Sequence, residues 1–161
     1  MQTRLSKLEA GEFDAILLAE AGIVRLQMHD LPRTPLTLTQ MLPAPGQGAL
    51  GIEVRSDDEA ATVVRQLDHP PSRAAVTTER NLLASLHGGC LAPIAALAIA
   101  TESQLTFDAV VLSQDGRERL DEHHRLPVDR PCLLDTACRA ADLAAASLLS
   151  RGAAALIEAQ R

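Results

Sequence analysis

The spacing of apolar and polar positions divides the chain into an irregular first part and a strongly patterned second part. Thr3 to Ala10 reads as a short helix with Gly11 as its stop. Asp14-Ala-Ile-Leu-Leu-Ala19 is an apolar run of strand length, and Glu20 to Leu26 again reads as helical. Helix, buried strand and helix in quick succession predict the tail of an α/β unit. Leu31 to Pro45 contains Pro32, Pro35, Pro43 and Pro45 and is expected to be loop or extended chain. Ala49-Leu-Gly-Ile-Glu-Val-Arg55 is expected as a further strand, followed by a helix to about Leu67 capped by Asp57 or Asp58.

His69-Pro70-Pro71 marks the best boundary, which gives units of 1–67 and 68–161. Ser72 offers an N-cap for a long helix to about Leu86, with Ala75, Val76, Leu82, Leu83 and Leu86 as its apolar stripe. Three strand-like runs follow, Ile94–Ala100, Gln104–Leu112 and Arg119–Leu126, and Asp115-Gly116 is a hairpin signal between the last two. An alanine-rich helix is predicted from about Asp135 to Ser150, with Gly152 ending it before a last short helix. The second unit is therefore expected to be an α+β domain with a three-stranded antiparallel sheet and helices, within the usual domain size range.

Composition narrows the class. Of the 161 residues 47% are hydrophobic, with no Trp or Tyr and only two Phe, so the core must be aliphatic and alanine-rich. No run of about 18 apolar residues is present and the start lacks a basic-then-apolar leader, so no membrane association is expected and the cytoplasm is the expected compartment. A net charge of −6 argues against general nucleic-acid binding. Lys7 is the only lysine, so arginines carry the remaining positive charge, and arginine's planar fork suits carboxylates. Three widely spaced cysteines with no CxxC pair do not form a disulfide framework; Cys132 and Cys138 are expected as packing residues.

The segment Leu86-His-Gly-Gly-Cys90-Leu-Ala-Pro93 sets a cysteine on a turn between a helix and a strand. Gly88 and Gly89 allow backbone conformations that would crowd a side chain, and Pro93 limits continuation of the helix. On these residues alone Cys90 is open to two readings, a small buried hydrophobe or a thiol presented to a ligand. A thiolate there would be favoured by a helix terminus or nearby cations.

The surrounding motifs decide between them. Thr3-Arg-Leu-Ser-Lys-Leu8, Glu12-Phe-Asp-Ala-Ile-Leu-Leu-Ala19, Ala21-Gly-Ile-Val-Arg25, Pro45-Gly-Gln-Gly-Ala-Leu-Gly-Ile-Glu53 and Thr77-Thr-Glu-Arg80 precede the cysteine loop. In this order and at these spacings the chain resembles the porphobilinogen deaminase (hydroxymethylbilane synthase) family from about Thr3 to Ile99. The resemblance implies a transferase of tetrapyrrole (heme) biosynthesis that condenses four porphobilinogen molecules into hydroxymethylbilane with release of ammonia. It implies a dipyrromethane cofactor held by a thioether at Cys90, with Gly88 and Gly89 beside it. Sulfur suits that attachment because the pyrrole precursor loses ammonia to an electron-poor azafulvene, which a nucleophile captures. Arg4 and Arg25 match arginines that hold pyrrole carboxylates, in cofactor and substrate alike, by bidentate pairing. Gln47 lies in a segment similar to the family's hinge, where it is read either as a substrate contact near the cleft or as part of a structural hinge.

The resemblance also implies that the chain begins where the family's is roughly half complete. Residues 1–67 are then an α/β remnant of a periplasmic-binding-protein-like domain with the crossing segment toward a missing first domain. Residues 68–161 are the cofactor-attachment domain. No catalytic residue is assignable, since the proton-handling aspartate would fall in the missing part. The expected partners are porphobilinogen, the growing polypyrrole chain and the N-terminal domain of the same enzyme, the whole being a monomer when complete. The truncated chain alone is expected to be inactive. The rival readings are a non-catalytic binding or scaffold fragment and a redox-sensing thiol. No metal is expected: His87 stands alone near Cys90, and adjacent His123 and His124 on a strand would face opposite ways.

Overall fold

The computed structural model describes the chain except for residues 90, 129–131 and 159–161. The chain divides into two compact units, residues 1–40 and 41–161.

The first unit holds two short helices, α1 (Gln2–Glu9) and α2 (Glu20–Arg25), which bury Leu5 and Ile23. Both end in the same way. Gly11 takes a positive φ after α1, and the amides of Gly11 and Glu12 return to the carbonyls of Leu8 and Lys7. Gln27 does the same after α2, with the amides of Gln27 and Met28 returning to Val24 and Ile23. The loop that follows is held by Arg33, whose guanidinium grips both carboxylate oxygens of Glu20 and donates to the carbonyl of His29 at 3.0 Å.

The strands expected at 14–19 and 49–55 are absent: both runs are without regular structure. An extended run becomes a strand only when a neighbour takes up its amides and carbonyls, and neither run has such a neighbour among the described residues. Leu17 is consequently exposed, and so are Leu50, Ile52 and Val54.

The second unit is a two-layer α+β fold. A short helix α3 (Ala60–Val64) with a 3-10 turn over Arg65–Leu67 follows Asp58, whose side chain accepts the Ala60 amide at 2.8 Å. Helix α4 spans Pro70–Ser85. Its start corrects the expected cap: His69, not Ser72, stands at the N-cap, its Nδ1 accepting the Ser72 amide. Proline belongs in the first turn, where its missing N–H has no helical partner to lose.

Strands β1 (Ile94–Ala100), β2 (Gln104–Leu112) and β3 (Arg119–Pro127) form an antiparallel sheet in sequence order. Ile94 pairs with Val111, and Leu105 pairs with Leu126. The β2–β3 loop is fixed by Gly116 at positive φ and by Ser113, whose hydroxyl donates to Asp115 and accepts the Glu118 amide. Helix α5 (Leu133–Ser150) and α6 (Ala153–Glu158) complete the layer.

Helix α5 buries Ala137, Ala140, Ala141, Ala144, Ala145 and Leu148, a stripe at helical spacing. Alanines there bring its backbone close to Phe107, Leu105 and Val111 of β2, which are among the largest side chains sealed in the core. The opposite sheet face is mixed, carrying Thr106, Asp108, His123 and Arg125 beside Leu97, Ile99 and Val110. Glu122 of β3 reaches the other way and clasps α5: it accepts from the Ser147 hydroxyl and, at 2.7 Å, from Arg151, while His124 binds its second oxygen. Among the described residues no helix is long and apolar enough to cross a membrane.

Candidate functional site

Helix α4 carries the cysteine loop at its C-terminal end. Leu86 caps the helix and His87 takes the left-handed conformation at φ 52°. The amides of His87 and Gly88 return to the carbonyls of Ala84 and Leu83, the third helix end of this kind in the chain. The glycines therefore act differently from the expectation. The positive φ falls on His87, whereas Gly88 is favoured by close approach: a Cβ there would stand 2.6 Å from Ile94 Cδ1 and 2.7 Å from Leu83 Cδ1, and those side-chain ends would have to shift. A Cβ at Gly89 would meet nothing within 4 Å. Beyond the cysteine the Gly89 carbonyl accepts the Ala92 amide at 3.0 Å, and Leu91 is 87% exposed. Cys90 itself lies outside the described residues.

The loop leaves the C-terminal end of α4, which carries partial negative charge.

The segment before α3 passes along the free edge of β1. The Pro43 carbonyl accepts the Ala96 amide at 3.0 Å. Glu79, 5% exposed in the middle of α4, accepts the Gly46 amide at 2.7 Å with one carboxylate oxygen and the Ala98 amide at 2.8 Å with the other. Burial pushes the Glu79 carboxyl above the ordinary glutamate range, and the two amides only partly offset this. Gly46 sits at φ 75° and Gly48 at φ 90°, conformations glycine alone takes readily. Between them Gln47 accepts the Ala44 amide with its side-chain oxygen at 3.1 Å. Its Nε2 has no partner among the described residues and is left to donate outward.

Arg4 lies on α1 and Arg25 ends α2; both guanidinium groups are exposed in the first unit, with no ion pair among the described residues. Gln47 and the cysteine loop belong to the second unit. The motif Thr77-Thr-Glu-Arg80 contains Glu79 without indicating its task. A signal was present, because Glu79 stands three residues from both Val76 and Leu82, in the middle of the apolar stripe of α4. His123 bonds Asp108 and His124 bonds Glu122, so the pair does face opposite sides of the sheet. Among the described residues no three His, Cys, Asp or Glu side chains gather to hold a metal ion.

Comparison with known proteins supplies the class. Residues 1–63 match the family model for the porphobilinogen deaminase dipyrromethane cofactor binding domain, and residues 73–139 match the model for the porphobilinogen deaminase C-terminal domain. The chain is 44% identical over 154 residues to a porphobilinogen deaminase of Desulforudis audaxviator, an alignment covering 94% of this chain and 50% of that protein. It is 40% identical over 169 residues to that of Acidothermus cellulolyticus, covering 100% of this chain and 48% of the relative. A Sphingopyxis alaskensis porphobilinogen deaminase is 47% identical over 123 residues, covering 75% of this chain and 39% of its own. The chain belongs to the porphobilinogen deaminase family. It spans about half the length, or less, of these curated relatives.

Proposed function

We propose that this chain is the cofactor-bearing part of a transferase that joins porphobilinogen units into hydroxymethylbilane in the cytoplasm, with a dipyrromethane on Cys90. The observation that carries the reading is the Gly88-Gly89-Cys90 loop at the junction of α4 and β1 in a chain of this family. The flanks of the loop fit such a group. Gly88 is packed and anchors the loop, while Gly89 has open space beside it and Leu91 stands in solvent.

In this reading residues 68–161 form the cofactor-attachment domain. Residues 1–67 contribute to a periplasmic-binding-protein-like domain and the crossing segment. When bound, the dipyrromethane supplies the primer to which further pyrroles are joined. The residues of this chain hold and orient. Arg4 and Arg25 pair with the acetate and propionate groups of the pyrroles through two parallel N–H···O bonds. Gln47 donates from Nε2. Lysine at position 4 or 25 keeps the charge but loses the fork, so it does not restore activity in the complete enzyme.

Because the chain spans half of its relatives, the 161-residue protein by itself is expected to form no hydroxymethylbilane. The deciding experiment is the intact mass of the protein made in its native cells, followed by fragmentation to locate any adduct. A dipyrromethane on Cys90 supports the reading. An unmodified thiol would overturn it in favour of a binding or scaffold fragment.

A further inference from the structure

The turn at Gly46-Gln47 and helix α4 together line an open groove of about 1430 Å³ in the second unit. Three arginines face it, Arg65, Arg73 and Arg80, against two carboxylates, Asp68 and Glu79. Both carboxylates are already engaged. Asp68 pairs with Arg73 at 3.3 Å, and Glu79 is buried on the amides of Gly46 and Ala98. Arg80 has no ion-pair partner among the described residues. Its Cγ would lie 3.9 Å from a Cβ at Gly46, so its stem runs beside the turn that carries Gln47, and its head is exposed. A cationic groove on a chain of net charge −6 concentrates anions locally.

The geometry points to a carboxylate subsite made by the Arg80 guanidinium and the Gln47 Nε2, with Glu79 as the positioning residue that fixes the turn. Resting on the reading above, it receives a carboxylate arm of a pyrrole. Each part has a defined task. The Ala44 amide occupies the Gln47 side-chain oxygen, so only donors face outward. Glu79 ties Gly46 to the edge of β1, so those donors have a fixed origin. Arg80 is the next residue on α4, so one helix supplies both the carboxylate that holds the turn and an arginine that lines the groove beside it.

The test is a titration of the ¹⁵N-labelled 161-residue chain with porphobilinogen, with succinate and with neutral 2-methylpyrrole. Porphobilinogen and succinate should move the Gln47 side-chain NH₂ and the Arg80 Nε–H resonances, and 2-methylpyrrole should not. Arg80→Gln should weaken the porphobilinogen response at least about fivefold, as expected for loss of a charge-assisted pair, and Arg80→Lys should not restore it fully. The amides of β1 to β3 report that both variants remain folded. Wild-type titration by Arg80→Gln, or equal shifts with 2-methylpyrrole, overturns the subsite. The functional reading fails by a separate result, the absence of an adduct on Cys90. Arg80-dependent binding without an adduct would leave the subsite standing and remove the reading.

Discussion

Gly88 lies against Leu83: a Cβ at Gly88 would come within 2.7 Å of Leu83 Cδ1, so a side chain there forces the leucine to shift. The contact closes the end of α4 and fixes where the cysteine loop departs.

Gly88→Ala should therefore destabilise the second unit by about 1–3 kcal/mol through overpacking. Gly89→Ala, with open space beside it, should change stability by less than about 0.5 kcal/mol. Urea unfolding of the two variants side by side checks the contrast, and equal midpoints would contradict it.

The clasp between β3 and α5 should show itself as acid sensitivity. Burial raises the Glu122 carboxyl, but hydrogen bonds from Ser147 and Arg151 and the nearby His124 outweigh it, and the net shift is downward. A carboxyl lowered on folding contributes stability above its unfolded value, near pH 4, and loses it as pH falls through the folded value. Glu122→Gln should thus cost about 1–3 kcal/mol at pH 7. The gap from wild type should close as the pH falls below about 4. Unfolding midpoints between pH 3 and 7 measure it.

Glu79 should behave with the opposite sign. Its carboxyl is raised on folding by burial, so its contribution is complete below the unfolded value and is lost as pH rises through the folded one. The gap between wild type and Glu79→Gln should be widest near pH 4 and narrow toward neutrality. A gap that widens with pH would mean that the Gly46 and Ala98 amides outweigh desolvation.

The second unit was largely legible in the sequence because its elements carry their own partners. An unbroken apolar run marks β1, alternation marks the first half of β2, and the α5 stripe follows from alanine spacing. The first unit was not, nor was the 49–55 run of the second. Ile16 and Leu18, like Leu50 and Ile52, have strand composition, but composition specifies a strand only where another chain segment completes the ladder. The left-handed residues at Gln27 and His87 were missed for a different reason: nothing in those side chains announces the conformation, whereas Gly11 does. Of the candidate site, the cysteine loop and Gln47 were visible as motifs. The task of Glu79 required knowing that Gly46 and Ala98 meet across it.

The exposed run at 49–55 makes a fourth expectation. Leu50 is 90% exposed and Ile52 is exposed beside it. Leu50→Lys and Ile52→Lys should leave the unfolding midpoint of the 161-residue chain within about 0.5 kcal/mol of wild type. They should also reduce any concentration-dependent association measured by light scattering, since apolar extended segments are pairing templates. A loss of stability above that limit would mean that the run packs in solution.

Glu79 and Arg80 are one step apart on α4, and that step of about 100° separates a residue that serves the backbone from one that faces solvent. The helix is thereby indexed. A slide of one position against β1 would bury a guanidinium among amides and leave the Gly46 turn unheld, so α4 has a single admissible setting. The helix that carries the cysteine loop at its far end transmits that setting over ~9 Å from Arg80 to Leu86, as a ruler fixed at one mark fixes all the others.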